Sequence, residues 1–350
     1  MQSLASPVNH WFRILVPFTP LIIILPPLAS LAPAAASPPA PAQLRVEHLH
    51  NPLGVDVPRP RLSWILPLEG RDQKQVAYQI LVSASPEVKT GDVWDSGRVE
   101  SPAQLVAYSG QPLQSGARYY WRVRYWNQDG QVSPYSQVAC FETGLLQPSD
   151  WKGKWISGGN QFRKEFRLEE QPTRARAYVA GIGYYELHIN GRKVGDHVLD
   201  PGWTTYEKRV LYSTYDVTSF LRAGPNAIGL LVGQGWYSKR EAILQLNIQF
   251  ANGRTVEVFT DGSWKATQGP ILSDSVWDGE VYDARREMPG WDAPGFDDSG
   301  WSAASVVPGP GGILWAQLMP PIKVVDTLVP RRLLNPKPGV WVFDMGQNMT

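Results

Sequence analysis

Two dipeptides constrain the fold of this 350-residue chain more than any other feature: Asn190-Gly191 inside YYELHINGRKVGD and Asn252-Gly253 inside LNIQFANGRTVEVF. Each sits between runs that alternate apolar and polar residues. A tight antiparallel turn needs a positive φ at its central residues, and Asn and Gly tolerate that at least cost. Each dipeptide therefore predicts a β-hairpin. Asp129-Gly130 and Asp261-Gly262 mark further turns, and AYQILVSAS (77–85) alternates and is rich in β-formers. The 32 Gly and 31 Pro imply many turns, and 15 Trp with 14 Tyr favour short strands over long helices. The expected fold class is all-β.

Residues 44–145 read as an immunoglobulin-like sandwich without a disulfide, with Trp64 on an early strand. In YYWRVRYW, Tyr119, Trp121, Val123 and Tyr125 share the face expected in the core. Tyr120, Arg122, Arg124 and Trp126 share the other, with arginine stems lying over aromatics. WRVR with SPYS and FETG resembles the later strands of a fibronectin type III module. LLQPSDWKGKWISGG (145–159) reads as a linker. From 146 to 308 the pattern is mostly antiparallel, with a strand FRKEFRL and a short helical turn TSFL, which predicts a jelly-roll sandwich. After Pro308 a further β segment is expected, ending in a strand VWVFDMGQN whose partners lie outside the sequence, so the chain reads as truncated.

Charge and motif content exclude several classes. Lys+Arg number 33 against 32 Asp+Glu, so no basic face speaks for a nucleic-acid partner. The single cysteine, Cys140, excludes an internal disulfide, and the alternation of SQVACFETG predicts a buried, unreactive thiol. None of the five histidines has metal-ligand spacing, including His48 and His50. No G-x-S-x-G turn and no glycine-rich phosphate loop occurs. Arg13, the proline-broken apolar stretch from Ile14 and Ala34 to Ala36 before Ser37 fit an export signal over 1–36. A Pro/Ala-rich leader follows over 37–43, and the expected location is secreted or periplasmic.

Several long motifs occur in one order: YVAGIGYYELHINGRKVGDHVLDPGWTTYEKRVLYSTYDVT, NAIGLLVGQGWY, DGEVYDAR, PGWD and FDDSGWS. Together they resemble the N-terminal β domain of bacterial α-L-rhamnosidases. NPLGVD, PRLSW and YWRVR resemble the fibronectin-like module that precedes it, and FDMGQN resembles the opening of the next domain. The resemblance spans about residues 44 to 350. It implies service to an inverting glycoside hydrolase of terminal α-L-rhamnosides. The paired carboxylates of such an enzyme, roughly 6.5–9.5 Å apart, act in a later (α/α) barrel. No catalytic residue carries over, and the chain by itself is expected to be inactive. The implied partners are rhamnose-containing glycans or glycosides and its own catalytic domain. A stand-alone rhamnose-binding module is the alternative reading, and a structural spacer is a third.

The densest motif is WDGEVYDARRE, from Trp277 to Glu287, with four acids set among aromatics. Within the resemblance, Glu280 and Asp283 accept hydrogen bonds from sugar hydroxyls. Trp277 or Tyr282 gives a stacking face, and Arg285 orders the carboxylates or donates to a hydroxyl. Trp203 and Tyr206 of GWTTYEKRV form a second candidate platform, and Trp236 and Tyr237 of GQGWY have the same character. Related jelly-roll modules bind rhamnose through calcium, for which Asp196, Asp200, Asp278, Glu280 and Asp283 are the available acids. The same cluster equally fits an ion-pair network that docks the loop on a neighbouring domain.

Overall fold

The computed structural model describes residues 37–67, 69, 71–236 and 239–348; the expected export signal lies outside them. The fold is all-β. Its only helical elements among the described residues are three single turns, Pro148–Asp150, Thr218–Phe220 and Ala284–Arg286.

The first module is an immunoglobulin-like sandwich. A three-stranded sheet (Ala42–Val46, Arg61–Ile65, Leu105–Ala107) meets a five-stranded sheet built on Gln75–Ser83 and Arg118–Asn127. Leu44, Val46, Leu62 and Trp64 pack between them against Ile80, Val82, Trp121, Val123 and Phe141. The alternation of YYWRVRYW is realised residue by residue, with Tyr119, Trp121, Val123 and Tyr125 buried. The Arg122 and Arg124 guanidinium groups lie 4.4 and 4.8 Å from the Tyr135 ring centroid, so the outward arginines cover aromatic surface. The Trp64 indole donates to Gln75 Oε1 at 3.0 Å, which satisfies its one polar atom in the core. Cys140 is half-buried rather than fully buried, and that burial still pushes its thiol pKa up.

The second module packs two larger sheets face to face. One has six strands in the order Arg192–Lys193, Tyr184–Ile189, Gly224–Gly233, Gln161–Leu168, Lys265–Thr267 and Ser302–Ala303. The other has seven, running from Ser305–Val307 through Trp155–Ser157, Glu241–Gln249, Arg174–Ile182 and Arg209–Asp216 to Ile313–Ala316. Its seventh, Thr255–Phe259, lies beside Glu241–Gln249. Phe162, Val179, Leu187, Leu230, Leu244 and Trp264 are among the side chains that fill the space between the sheets. Asn190-Gly191 forms the two-residue turn its sequence predicts: Ile189 pairs with Arg192, and φ is +53° and +78°. Asn252-Gly253 also closes a hairpin, through a longer loop in which Phe250 N–H donates to Arg254 O at 3.0 Å.

Three expectations about the connections change. The sandwich continues past Pro308, because Ile313–Ala316 runs parallel to Arg209–Asp216 and completes the seven-stranded sheet. The 145–159 stretch is not a free linker. It supplies the strand Trp155–Ser157, buries Leu145, and stands Trp151 edge-on to Tyr212 with ring centroids 5.2 Å apart. The terminal strand Val340–Asp344 has a partner inside the sequence, pairing antiparallel with Arg332–Lys337.

Much of the outer face of the seven-stranded sheet is covered. Tyr178, Tyr206, Val210, Tyr212 and Ile243 are buried there with Leu145 and Ala316. Beside this cluster, Glu142 of the first module is 2% exposed and gathers three arginines. Arg176 Nε and Nη2 donate to it at 2.6 and 2.8 Å, Arg174 Nη2 at 2.8 Å and Arg118 Nε at 2.6 Å. Burial raises the Glu142 pKa, but the hydrogen bonds from Arg176 and Arg174 outweigh it and hold it at about 2. A buried carboxylate with that many donors ties the two modules together.

Candidate functional site

The six-stranded sheet has an outer face of a different kind. Along Tyr184–Ile189 the outward positions are Tyr184, Glu186 and His188. Across the register, Tyr184 pairs with Gly233, Glu186 with Leu231 and His188 with Gly229. Gln161 and Arg163 of the next strand continue the rows opposite Leu231 and Gly229. The two glycines leave room for a later segment to lie on the sheet. A Cβ on Gly229 would stand 2.7 Å from the Trp291 ring, and one on Gly233 would stand 2.7 Å from Asp274 Oδ2.

That segment, residues 270–300, is pinned by charge. Arg163 is 1% exposed; its Nε donates to Trp291 O at 2.9 Å and its Nη2 to Ala293 O at 3.1 Å, and it pairs with Asp298. His188 Nδ1 is 2.8 Å from Asp292 Oδ2. Burial lowers the His188 pKa, yet the carboxylates of Asp292 and Glu186 raise it to about 9. The imidazolium therefore holds the segment at neutral pH. Nearer the sheet end, Asp274 accepts from Gln234 N at 2.5 Å and pairs with Arg240.

WDGEVYDARRE projects from this segment as a small hairpin. Among the described residues, strands Ile271–Ser275 and Gly279–Tyr282 pair only with each other, with Asp274 opposite Glu280. Trp277, at its tip, is 70% exposed. Its ring centroid lies 4.5 Å from that of Trp236, which lies 4.7 Å from that of Trp203. Tyr184 stacks on Trp203 at 6.2 Å. The sheet thus ends in a continuous run of four aromatics beside a groove of about 470 Å³ that includes Tyr184, Glu186, Asp274, Ser275 and Glu280.

The structure divides the sequence-predicted residues. Trp203, Trp277 and Glu280 come together at this edge, where Trp236 joins them; Tyr237 lies outside the described residues. Tyr206 does not belong. It is 2% exposed, packed on the opposite sheet with Tyr178 and Tyr212, and is no sugar platform. Asp283 and Arg285 are spent on each other: Arg285 Nε and Nη2 donate to the Asp283 carboxylate at 2.7 and 2.9 Å, and the same carboxylate caps the turn Ala284–Arg286. The Tyr282 hydroxyl donates to Glu287 at 2.9 Å and lines a second cavity on the sheet face.

The acids nominated for calcium do not converge. Asp196 pairs with Lys323, Asp278 accepts from Ser275, and Asp283 holds Arg285. Asp200 is 3% exposed and accepts from Ser213 at 2.6 Å, Tyr215 at 2.8 Å and Gln317 at 2.9 Å. Burial raises its pKa, but hydrogen bonds from His197, Ser213 and Tyr215 prevail and hold it at about 2. Among the described residues no group of three or more His, Cys, Asp or Glu side chains is placed to hold a metal ion.

Residues missed at first were Tyr184, Glu186, His188, Gln161 and Asp274. The first three were legible as one face of an alternating strand. The others depend on a neighbouring strand's register and on a fold-back of about 40 residues.

Fold and site define a class: a tandem β-sandwich protein with an aromatic sheet edge and a polar cleft on the same sheet. Residues 170–326 match the family described as the α-L-rhamnosidase N-terminal domain, and residues 41–147 match the Rha78A-like N-terminal immunoglobulin domain. By these matches the chain belongs to the α-L-rhamnosidase family, of which it corresponds to an N-terminal portion. An α-L-rhamnosidase of Formosa agariphila is 37% identical over 87% of this chain and 36% of its own length. The structure of α-L-rhamnosidase from Dictyoglumus thermophilum is 41% identical, with a TM-score of 0.85 over 88% of this chain and 38% of that one. That of the Streptomyces avermitilis α-L-rhamnosidase complexed with L-rhamnose is 27% identical, with a TM-score of 0.84 over 89% of this chain and 49% of that one. The chain spans 36 to 38% of the length of three curated relatives it matches.

Proposed function

We propose that this chain is the non-catalytic N-terminal portion of a secreted, inverting α-L-rhamnosidase, and that its aromatic edge faces rhamnose-containing substrate. One observation carries the reading: Trp203, Trp236 and Trp277 are 47, 43 and 70% exposed, with Trp236 touching both others, beside a groove lined by Glu280. Exposed aromatic patches of this kind mark binding surfaces. Their faces suit the apolar side of a deoxy-sugar ring, and the Glu280 carboxylate suits its hydroxyls.

A second feature favours a part of a larger enzyme over a stand-alone rhamnose-binding module. The hairpin of Arg332–Lys337 and Val340–Asp344 leaves Leu333, Trp341 and Phe343 54, 60 and 60% exposed. A two-stranded hairpin is marginal on its own and gains stability when its apolar face is covered.

The test is hydrolysis of an aryl α-L-rhamnoside by the entire gene product, with the anomer of the released sugar followed by NMR. The β-anomer should appear first, and the 350-residue chain alone should release none. Release of the α-anomer first, or no release by the entire product, overturns the reading. N-terminal sequencing of the exported protein should begin at Ser37.

A further inference from the structure

The two Asn-Gly turns are alike in sequence and unlike in surroundings. Asn190 is held by other parts of the fold. Its Nδ2 donates to Phe220 O and Asn226 Oδ1, both at 2.8 Å, and its Oδ1 accepts from Ala227 N at 2.8 Å. Gly191 N–H donates to Asp292 O at 3.0 Å, in the segment that Arg163 and His188 pin to the sheet. Freeing that nitrogen means lifting the segment.

Asn252 is exposed, in the loop between Glu241–Gln249 and Thr255–Phe259. Its Oδ1 accepts from Arg254 N at 2.9 Å. Such a bond, to the backbone two residues on, folds the side-chain carbonyl back over the intervening nitrogen, here that of Gly253. Its Nδ2 donates to Glu170 Oε1 at 3.0 Å, so the amide is held from both ends. Gly253 N–H donates to Phe250 O at 3.0 Å, inside the same exposed turn. A local bond of that kind opens at little free-energy cost. Among the described residues nothing stands within 4 Å of where a Gly253 Cβ would be, so the approach is unobstructed.

An asparagine loses its amide when the following backbone nitrogen attacks its side-chain carbonyl. The attack needs an unhindered next residue, a carbonyl folded back onto it, and a donor on the oxygen where negative charge develops. Gly253 supplies the first, the folded side chain the second and Arg254 N–H the third.

We propose that Asn252 is a self-modification site, which the folded chain converts to aspartate and isoaspartate while it preserves Asn190. The Gly253 nitrogen forms a bond to Asn252 Cγ and the Cγ–Nδ2 bond breaks. The amide nitrogen leaves as ammonia, taking up the proton that Gly253 gives away. Water then opens the cyclic imide at either carbonyl. The product sets a carboxylate where Nδ2 met Glu170, beside Glu169 and Arg254, and so changes the charge of this loop. This inference is independent of the functional reading above.

The test is incubation of the 350-residue chain at mildly alkaline pH, folded and in urea, followed by tryptic peptide mapping. Trypsin releases Asn190 within residues 177–192 and Asn252 within residues 241–254, so each site is read separately. The readouts are the mass difference between an amide and an acid, and an isoaspartate-specific methyl label. In urea the two sites should convert at similar rates, since glycine follows both. A preorganised donor at a developing oxyanion is worth on the order of 100-fold in a closed site and less where water competes, so in the folded chain Asn252 should convert at least about tenfold faster than Asn190. It should also convert no slower than in urea. Asn252→Ser should abolish the product in 241–254 and leave 177–192 unchanged. Equal rates at the two sites of the folded chain, slower conversion of Asn252 when folded than in urea, or a product in 241–254 that survives Asn252→Ser overturns the site.

Discussion

The two sheets of the second module share one sandwich core but have opposite outer faces. The seven-stranded sheet turns Tyr178, Tyr212 and Ile243 outward into a second buried cluster, and Arg176 into the Glu142 ion network. The six-stranded sheet turns Glu186, His188 and two glycines outward beneath a pinned but incomplete cover. One face is covered by apolar contact and a buried ion network. The other carries exposed tryptophans and a hairpin that, among the described residues, pairs with no other sheet. The join between the modules thus falls on the first face, and the second keeps its polar and aromatic side chains outward.

The largest expected effect is on the closed face. Glu142→Ala leaves Arg176, itself 2% exposed, without its counter-charge. Breaking a buried pair from one side costs about 3–5 kcal/mol, which urea denaturation should read as a lowered midpoint. A change below about 1 kcal/mol would show that the network is not what joins the modules.

Acid should act through the same group. The Glu142 pKa is held at about 2, against an ordinary value of 4.5. Its folded pKa is depressed, so its stabilisation is complete above about pH 4.5 and is lost as pH falls toward 2. The amount is on the order of 3 kcal/mol. His188 has the opposite sign. Its pKa is raised from 6.5 to about 9, so its contribution is complete below pH 6.5 and is lost as pH rises through 9. Melting temperature should therefore be highest between about pH 5 and 6.5. Glu142→Gln should flatten the acid side alone, whereas His188→Gln should flatten the alkaline side and also that part of the acid side which Glu186 and Asp292 owe to His188. If Glu142→Gln flattens the alkaline side as well, the faces are not independent.

Gly229→Ala sharpens the contrast on the open face. The new methyl would meet the Trp291 ring at 2.7 Å and push the cover off the sheet. The expected cost is about 1–3 kcal/mol, with greater proteolysis near residues 287–293. The smallest effect on stability belongs to Trp277→Ala, whose ring is 70% exposed. It should change stability by less than about 0.5 kcal/mol and reduce affinity for rhamnose-containing ligand at the aromatic edge about tenfold, read by calorimetry. A large stability loss would make that edge a packing element instead.

Much of this architecture was legible locally. The alternation of YYWRVRYW named its buried and exposed faces because side chains in a strand alternate with period two. Asn190-Gly191 named a turn because few other pairs adopt positive φ twice in succession. The same alternation in YYELHI separated Tyr184, Glu186 and His188 from the core. Tyr206 was misplaced because a tyrosine near a tryptophan looks alike in sequence whether it lies over solvent or under a second module. The end of the sandwich was misplaced because Ile313–Ala316 pairs with a strand about 100 residues earlier, and parallel pairing leaves no turn signal to mark it.

From sequence alone came the elements, their two-faced character, the hairpin at Asn190-Gly191, the all-β class and the family. These depend on interactions within about ten residues, or on motifs preserved in order. Tertiary structure alone decided which outer face would be closed. It placed Trp203, Trp236 and Trp277 in one run of contacts although they are spread over 75 residues, bound Asp283 and Arg285 to each other, and set His188 between Asp292 and Glu186. The physical reason is that contact, burial and hydrogen-bond satisfaction are set by which strands become neighbours, and the local pattern along a strand carries no record of what will lie across from it.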